Sequence, residues 1–332
     1  MKLDPSIRKI PTAGMSREEW LAARRTGIGG SDAGAVLGMN PYRTPYAVWA
    51  DKTGRLPSLP ETEAMRLGRD LEDYVARRFQ EASGKRARKV NAILQNPAYP
   101  FALANIDREI AGEQAGLELK TASALRAKAF RGGEFPDAYY AQCVHYMAVT
   151  GAQRWYLAAL ILGEGLKIFR LSRRENAPLP EWCESGVFVP REELDALLAA
   201  EEAFWRLVES DTPPAFTGLP GDSLALALAY PGEAEAPEAL LPGLEEEAAQ
   251  ALALKEQIAL FEAQLERCTQ ELKGRMENAP EARAGRYEIL WKPQARRTFD
   301  VKAFAKAHPG IDLSPYYRET AYRKFEIRKE ES

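Results

Sequence analysis

The stretch Gly116-Leu117-Glu118-Leu119-Lys120-Thr121 alternates apolar and polar residues with period two, the spacing of a β-strand rather than of a helix. On a strand the two leucines point into a core, and Glu118 and Lys120 project together from the opposite face. An acid and an amine then share one pocket. Asp107 closes an earlier strand-like run, Ala104-Asn105-Ile106-Asp107, and residues 111–116 between the two have turn composition. A hairpin can therefore bring Asp107 beside Glu118.

Two carboxylates offer hard oxygen ligands suited to Mg²⁺ or Mn²⁺, ions that sharpen water as a nucleophile and steady a leaving oxygen. Lys120 can orient or deprotonate the attacking water and offset charge on a pentacovalent phosphate. Zinc does not fit, because the only histidines are His145 and His308. Alone, a Glu-x-Lys strand is most often a surface ion pair, so its surroundings decide the matter.

Those surroundings are ordered. Residues 16–52 read as short helices over 18–24, 31–38 and 45–52, and Met65, Leu67, Leu71, Val75 and Phe79 give a longer helix over 63–81, stopped by Gly84. Residues 89–121 read as an antiparallel meander. Pro136 opens a helix through residue 148, and runs over 155–162 and 166–171 flank Gly163-Glu164-Gly165 as a hairpin. This order predicts a mixed α/β fold, α+β in the arrangement of its elements, around one sheet. Residues 1–210 form the first domain, and the Pro-, Gly-, Ala- and Glu-rich stretch 211–243 reads as a linker, with room for a short element at 224–230.

Residues 244–332 make a second unit. Leu254, Ile258, Phe261, Leu265, Cys268 and Leu272 step by four, three, four, three and four along a helix over 244–276. The stripe serves equally a helix packed on its own domain and one packed on another chain. Residues 285–328 read as strand-like, with basic and aromatic residues interleaved.

The chain carries 332 residues and a net charge of −3. Residues 1–150 hold 22 Lys and Arg against 17 Asp and Glu (+5), and the remainder 23 against 31 (−8), so the first half suits a polyanion. No apolar run is long enough for a membrane span, and Asp4, Pro5 and Arg8 interrupt any signal-peptide core, which points to the cytoplasm. Three scattered cysteines argue for a reduced compartment and against a disulfide framework or an iron–sulfur cluster.

Glu72, in Leu67-Gly68-Arg69-Asp70-Leu71-Glu72 of the long helix, together with Asp107, Glu118 and Lys120, resembles the PD-(D/E)xK nuclease pattern. Trp20-Leu21-Ala22-Ala23-Arg24, Gly27-Ile28-Gly29-Gly30-Ser31-Asp32 and the helix with Pro136, Tyr139, Gln142 and Tyr146 narrow the resemblance, over residues 18 to about 160, to the YqaJ-type viral recombinase family, the phage lambda exonuclease-like branch. One departure is Ile106, where the pattern has proline. The resemblance implies a restriction-endonuclease-like core, a central mixed sheet flanked by helices, with a C-terminal helical and β extension. It implies catalytic roles for Glu72, Asp107, Glu118, Lys120 and Gln142, and metal positions at Asp107, Glu118, Glu72 and Leu119 for two Mg²⁺ or Mn²⁺ ions. Arg24 and Ser31 would hold a DNA 5′-phosphate, and Ser31 as N-cap would open an anion site at the helix after Gly30. The Gly27–Asp32 run lacks the glycine spacing of a dinucleotide fingerprint and the Gly-Lys-Ser/Thr of a P-loop.

The activity implied is a 5′→3′ exonuclease resecting linear double-stranded DNA in phage or prophage recombination. It would act beside a single-strand annealing protein and as a homo-oligomeric ring, a trimer in preference to a tetramer. Tyr146, Arg126, Lys128 and Arg131 are further candidate DNA contacts, as are residues 85–89, and such contacts give salt-sensitive binding. Two alternatives stay open: a non-catalytic DNA-end-binding recombination adaptor, and a structure-specific endonuclease of the same fold. The C-terminal unit is assigned to assembly or partner docking.

Overall fold

Capping chemistry sets the first helices. After β1 (Arg8–Pro11), α1 (Arg17–Arg25) starts where Ser16 and Glu19 exchange side-chain-to-backbone hydrogen bonds in a capping box. β2 (Ile28–Gly29) runs straight into α2 (Gly30–Val36), and α3 (Pro45–Lys52) is opened by Thr44 as N-cap with a proline in the first turn. α4 (Glu63–Ser83) ends at Gly84, whose φ of 66° provides the left-handed C-cap. The computed structural model describes residues 6–58, 61–232, 239–319 and 323–329. Asp4 and Pro5, positions 233–238 of the expected linker and positions 320–322 of the last strand-like run lie outside the described residues.

The run over 89–121 is not one meander. It holds β4 (Ala92–Gln95) and β5 (Ala102–Ala104), which join β1 and β2 in a sheet of order β1-β4-β5-β2. Its other strands, β6 (Arg108–Ile110) and β7 (Ala115–Ala122), join β3 (Ala87–Lys89), β8 (Arg154–Ile161), β9 (Gly165–Ser172) and β10 (Ser185–Phe188) in a mixed sheet of order β10-β9-β8-β7-β6-β3. Turn residues mark where strands stop; long-range partners decide which sheet each one enters. β6 and β7 form the expected hairpin, with Arg108 paired to Leu117, and β8 and β9 form the second. Between the hairpins, β7 and β8 run parallel, connected through a 3₁₀ segment at Ala124–Phe130 and α5 (Asp137–Thr150).

Both faces of this sheet are covered. On one, Leu117 and Leu119 of β7 and Tyr156, Ala158 and Leu160 of β8 cluster with Val75, Ala76 and Phe79 of α4. On the other, Trp155, Leu157, Ala159 and Ile161 cluster with Cys143, Val144 and Met147 of α5 and with Leu194, Leu197 and Leu198 of α6 (Arg191–Glu209). The strand that carries Glu118 and Lys120 is thus central, and its polar face is roofed by protein instead of facing solvent.

α5 is pinned by His145, one of the fully buried polar residues. Its Nδ1 lies 2.7 Å from Glu201 Oε1 on α6 and its Nε2 2.9 Å from the Leu103 carbonyl, an arrangement that a doubly protonated ring satisfies at both ends. Burial pulls the imidazole pKa down, but the Glu201 charge and the two acceptors outweigh it and raise the value above the ordinary one. This pair contributes stability in full below the unfolded pKa of about 6.5 and loses it as pH rises through the raised folded value. Urea unfolding is therefore expected to show stability declining on the alkaline side. Glu201→Ala is expected to cost about 3–5 kcal/mol and to remove that decline; a wild-type slope retained in the variant would show that another group produces it.

The expected linker over 211–243 is shorter than its composition indicates. α7 (Pro220–Ala229) lies within it and packs on α3, with Ala225 buried and Asp222 accepting hydrogen bonds from the Thr217 amide and hydroxyl. The first unit accordingly extends through Tyr230, and the second begins at Pro231. In the second unit, α8 (Glu245–Met276) matches the expected helix, and β11 (Glu281–Ala284) pairs antiparallel with β12 (Tyr287–Leu290). Strand structure over 285–328 is overturned: among the described residues only β12 falls there, and residues from Val301 to Ala307 form α9. Asp300 accepts the Ala303 amide as N-cap, so local capping chemistry sets this helix. Among the described residues no helix is long and apolar enough to cross a membrane.

Candidate active site

β7 supplies Glu118, Lys120 and the Leu119 amide; the bend entering β6 supplies Asp107; α5 supplies Gln142 and Tyr146 from above. Glu118 Oε1 accepts from Lys120 Nζ at 2.5 Å and from Gln142 Nε2 at 2.7 Å. Asp107 Oδ2 accepts the Leu119 amide at 2.8 Å, so main chain from the middle of β7 anchors the second carboxylate. Gln142 Nε2 also reaches the Tyr146 hydroxyl at 3.1 Å, which in turn donates to the Asn105 carbonyl at 2.9 Å. Five sequence-predicted residues, Asp107, Glu118, Lys120, Gln142 and Tyr146, therefore meet in one network. Leu119 takes part through its main chain, its side chain lying in the core against α4.

The charges of this network are unbalanced. Glu118 is 2% exposed, and its Oε2 is buried with no hydrogen-bond partner. Burial raises the Asp107 carboxyl well above its ordinary value, and the neighbouring Glu118 charge raises it further. Burial depresses the Lys120 ammonium, yet Glu118 and Asp107 outweigh burial and hold it above the usual lysine range. Lys120 thus stands as a charged partner of Glu118, which suits offsetting phosphate charge. Two hard oxygens crowded together, one of them orphaned, are what a divalent cation would satisfy.

Glu72 does not join them directly. It lines, with Asp107, Lys89 and Trp20, a cavity of about 320 Å³, but its carboxylate is held by Arg108 at 2.5 Å. Arg108 also holds Asp73 and donates to the Asp107 carbonyl. Among the described residues no three His, Cys, Asp or Glu side chains converge as a ready metal cage. The proposed convergence of three acids is met by two, with the third beside them on an arginine. Arg108 escaped the sequence reading because it lies next to Asp107 on a strand whose pairing partner fixes its direction.

The predicted phosphate site is built differently from its expectation. The N-cap of α2 is Gly29, not Ser31, and Asp32 at the third helical position accepts the Gly29 amide at 3.0 Å. Ser31 lies one residue inside the helix, exposed, and accepts from Arg24 Nη2 at 2.7 Å. Arg24 stacks over Trp20 at 4.7 Å, and its carbonyl accepts from Lys52 Nζ, which pairs with buried Asp32 at 2.7 Å. Arg43 also pairs with Asp32, and Arg43, Lys52 and Arg24 together hold the Asp32 carboxyl far below its usual value despite burial. Asp32, Arg43 and Lys52 were not among the predicted site residues. Glycine at position 29 followed three residues later by an acid was the one local signal for a capping aspartate.

This corner adjoins the carboxylates: a Cβ at Gly30 would lie 2.5 Å from the Tyr146 ring, so α2 can approach α5 here only as glycine. Arg126, Lys128 and Arg131 are exposed along and after the 3₁₀ segment that follows β7. Arg126 stacks over Tyr42 at 4.8 Å and Arg131 lies 3.8 Å from Glu164.

Residues 19–153 match the YqaJ-like viral recombinase domain. Over 321 residues, 95% of either chain, the sequence is 36% identical to the protein YqaJ of Bacillus subtilis (strain 168). In structure it is similar, at a TM-score of 0.45 and 18% identity, to an alkaline exonuclease from Laribacter hongkongensis, covering 58% of this chain and 93% of that one. The corresponding values for a phage-related exonuclease from Haemophilus somnus 129PT are 0.40 and 10%, over 58% of this chain and 100% of the other.

Proposed function

Because the chain belongs to the YqaJ-like viral recombinase family, we propose that it is a divalent-metal-dependent 5′→3′ exonuclease that resects linear double-stranded DNA for recombination by single-strand annealing. The observation that carries this reading is the orphaned, buried Oε2 of Glu118 beside Asp107. Asp107, Glu118 and the Leu119 main chain would hold Mg²⁺ or Mn²⁺, with Glu72 joining if Arg108 releases it; two ions are proposed. The metal, when bound, supplies an activated water and charge for the leaving oxygen.

The residues of the chain do the remaining work. Gln142 and Lys120 fix the rotamer of Glu118 through its other oxygen. Lys120, whose ammonium lies on Glu118 Oε1, would offset the negative charge that grows on the scissile phosphate. Arg24 and Ser31 grip the terminal 5′-phosphate, and the exposed Arg126, Lys128 and Arg131 track the backbone without reading sequence. A homo-oligomeric ring, an annealing-protein partner and a cytoplasmic site of action complete the reading.

Digestion of linear duplexes ending in 5′-phosphate or 5′-hydroxyl, with and without Mg²⁺, tests it. Mg²⁺-dependent loss of one strand, faster on phosphorylated ends, is expected, and Arg24→Ala should level the two ends, a change of about tenfold or more. Tight binding with no strand loss in either Mg²⁺ or Mn²⁺ would favour the end-binding adaptor instead, and cutting of closed circles would favour the endonuclease.

A further inference from the structure

The long helix of the second unit leaves its apolar stripe uncovered. Leu254, Ile258, Phe261, Leu265 and Leu272 of α8 are between 43% and 68% exposed, and Cys268 on the same stripe is exposed as well. The alternating steps of four and three place these side chains at the a and d positions of a heptad, with Ile258, Leu265 and Leu272 at a and Leu254, Phe261 and Cys268 at d. Five large apolar groups in one continuous seam, on a helix of 32 residues spanning about 48 Å, are costly to leave in water.

Charge selects the occupant and its direction. Glu245, Glu246 and Glu247 open the helix, and Lys273 and Arg275 close it. A parallel copy would set each of these groups against itself, and its flanking positions would match Gln257 with Glu262 and Gln264 with Thr269, pairs without opposite charge. In an antiparallel copy with Ile258 level with Phe261 of the second chain, every a position meets a d position. Leu254 then faces Leu265, and Ala251 faces Cys268. The acidic first turn comes beside Lys273 and Arg275 of the second copy, and Lys255 and Glu262, both at e, flank the seam within reach of each other twice, once on each side of the two-fold axis. We propose that α8 is a self-association surface that pairs antiparallel with α8 of a second copy of this chain. The proposal does not rest on the nuclease reading.

The full-length protein tests this in two independent ways. By light scattering, Ile258→Glu/Phe261→Glu should lower the mass in solution at least twofold relative to wild type. Both positions are solvent-exposed in the single chain, so folding is retained, as circular dichroism would verify. Mild oxidation reports direction: Ala251→Cys should give a disulfide-linked dimer through Cys268, while the wild type gives none, because the two Cys268 residues of an antiparallel pair lie about 25 Å apart along the axis. Cross-linking of the wild type itself would establish a parallel pair and overturn the proposal. So would the absence of cross-linking in both proteins, or an unchanged mass. Lys255→Glu should weaken the pair several-fold, and adding Glu262→Lys should restore it. Strand degradation measured on the same samples reports the nuclease reading separately.

Discussion

Glu118→Gln is expected to lower Mg²⁺-dependent DNA degradation by at least about a thousandfold, about 4 kcal/mol of transition-state stabilisation, while DNA binding stays within a few-fold of wild type. The amide keeps the shape of the side chain but removes the negative charge that balances Lys120 and would hold the cation. Its new N–H group also faces Gln142, which already points a donor there. Lys120→Met is expected to lose a similar amount for a different reason. It leaves Glu118 and Asp107 crowded without a protein cation, so metal still binds but the charge developing on the phosphate goes unanswered. Strand release by gel and binding by anisotropy in Ca²⁺ separate the two effects. Turnover within tenfold of wild type in either variant would place the chemistry elsewhere.

Gly116→Val is expected to be strongly destabilising. A Cβ at this position would sit 2.2–2.5 Å from three ring atoms of Trp155, its neighbour across the parallel β7–β8 pair. Trp155 is fully buried against Tyr146 and the α5 layer and has no space to retreat. Overpacking of this severity costs at least about 3 kcal/mol, and moving Trp155 would disturb Tyr146 and through it Gln142. The control is Gly68→Ala on α4, where a Cβ meets nothing within 4 Å and the helix should gain roughly 0.5–1 kcal/mol. Denaturant midpoints of the two variants should move in opposite directions. A Gly116→Val protein as stable as wild type would mean that the β7–β8 register is not as described.

Much of the site is legible in the sequence. Period-two alternation put Glu118 and Lys120 on one face of one strand, which follows from backbone geometry that does not depend on distant residues. The strand expected over 104–107 is not formed: β5 ends at Ala104, and Asp107 sits on the bend just before β6, where its carboxylate accepts the Leu119 amide. The i to i+4 spacing of Gln142 and Tyr146 likewise placed both on one helical face, although only the fold shows that this face lies over Glu118.

Local sequence therefore determined the helices bounded by caps and glycines, the two hairpins around the central pair of strands, and the sharing of one face by an acid and an amine. The split of the short strands into two sheets, the roofing of the Glu118 face by α5, the diversion of Glu72 to Arg108 and the Asp32–Lys52 pair beneath Arg24 were settled only by tertiary structure. Backbone periodicity and caps are properties of neighbouring residues. Burial, and with it the strength of every charge in this site, depends on segments tens of positions away that no local pattern encodes.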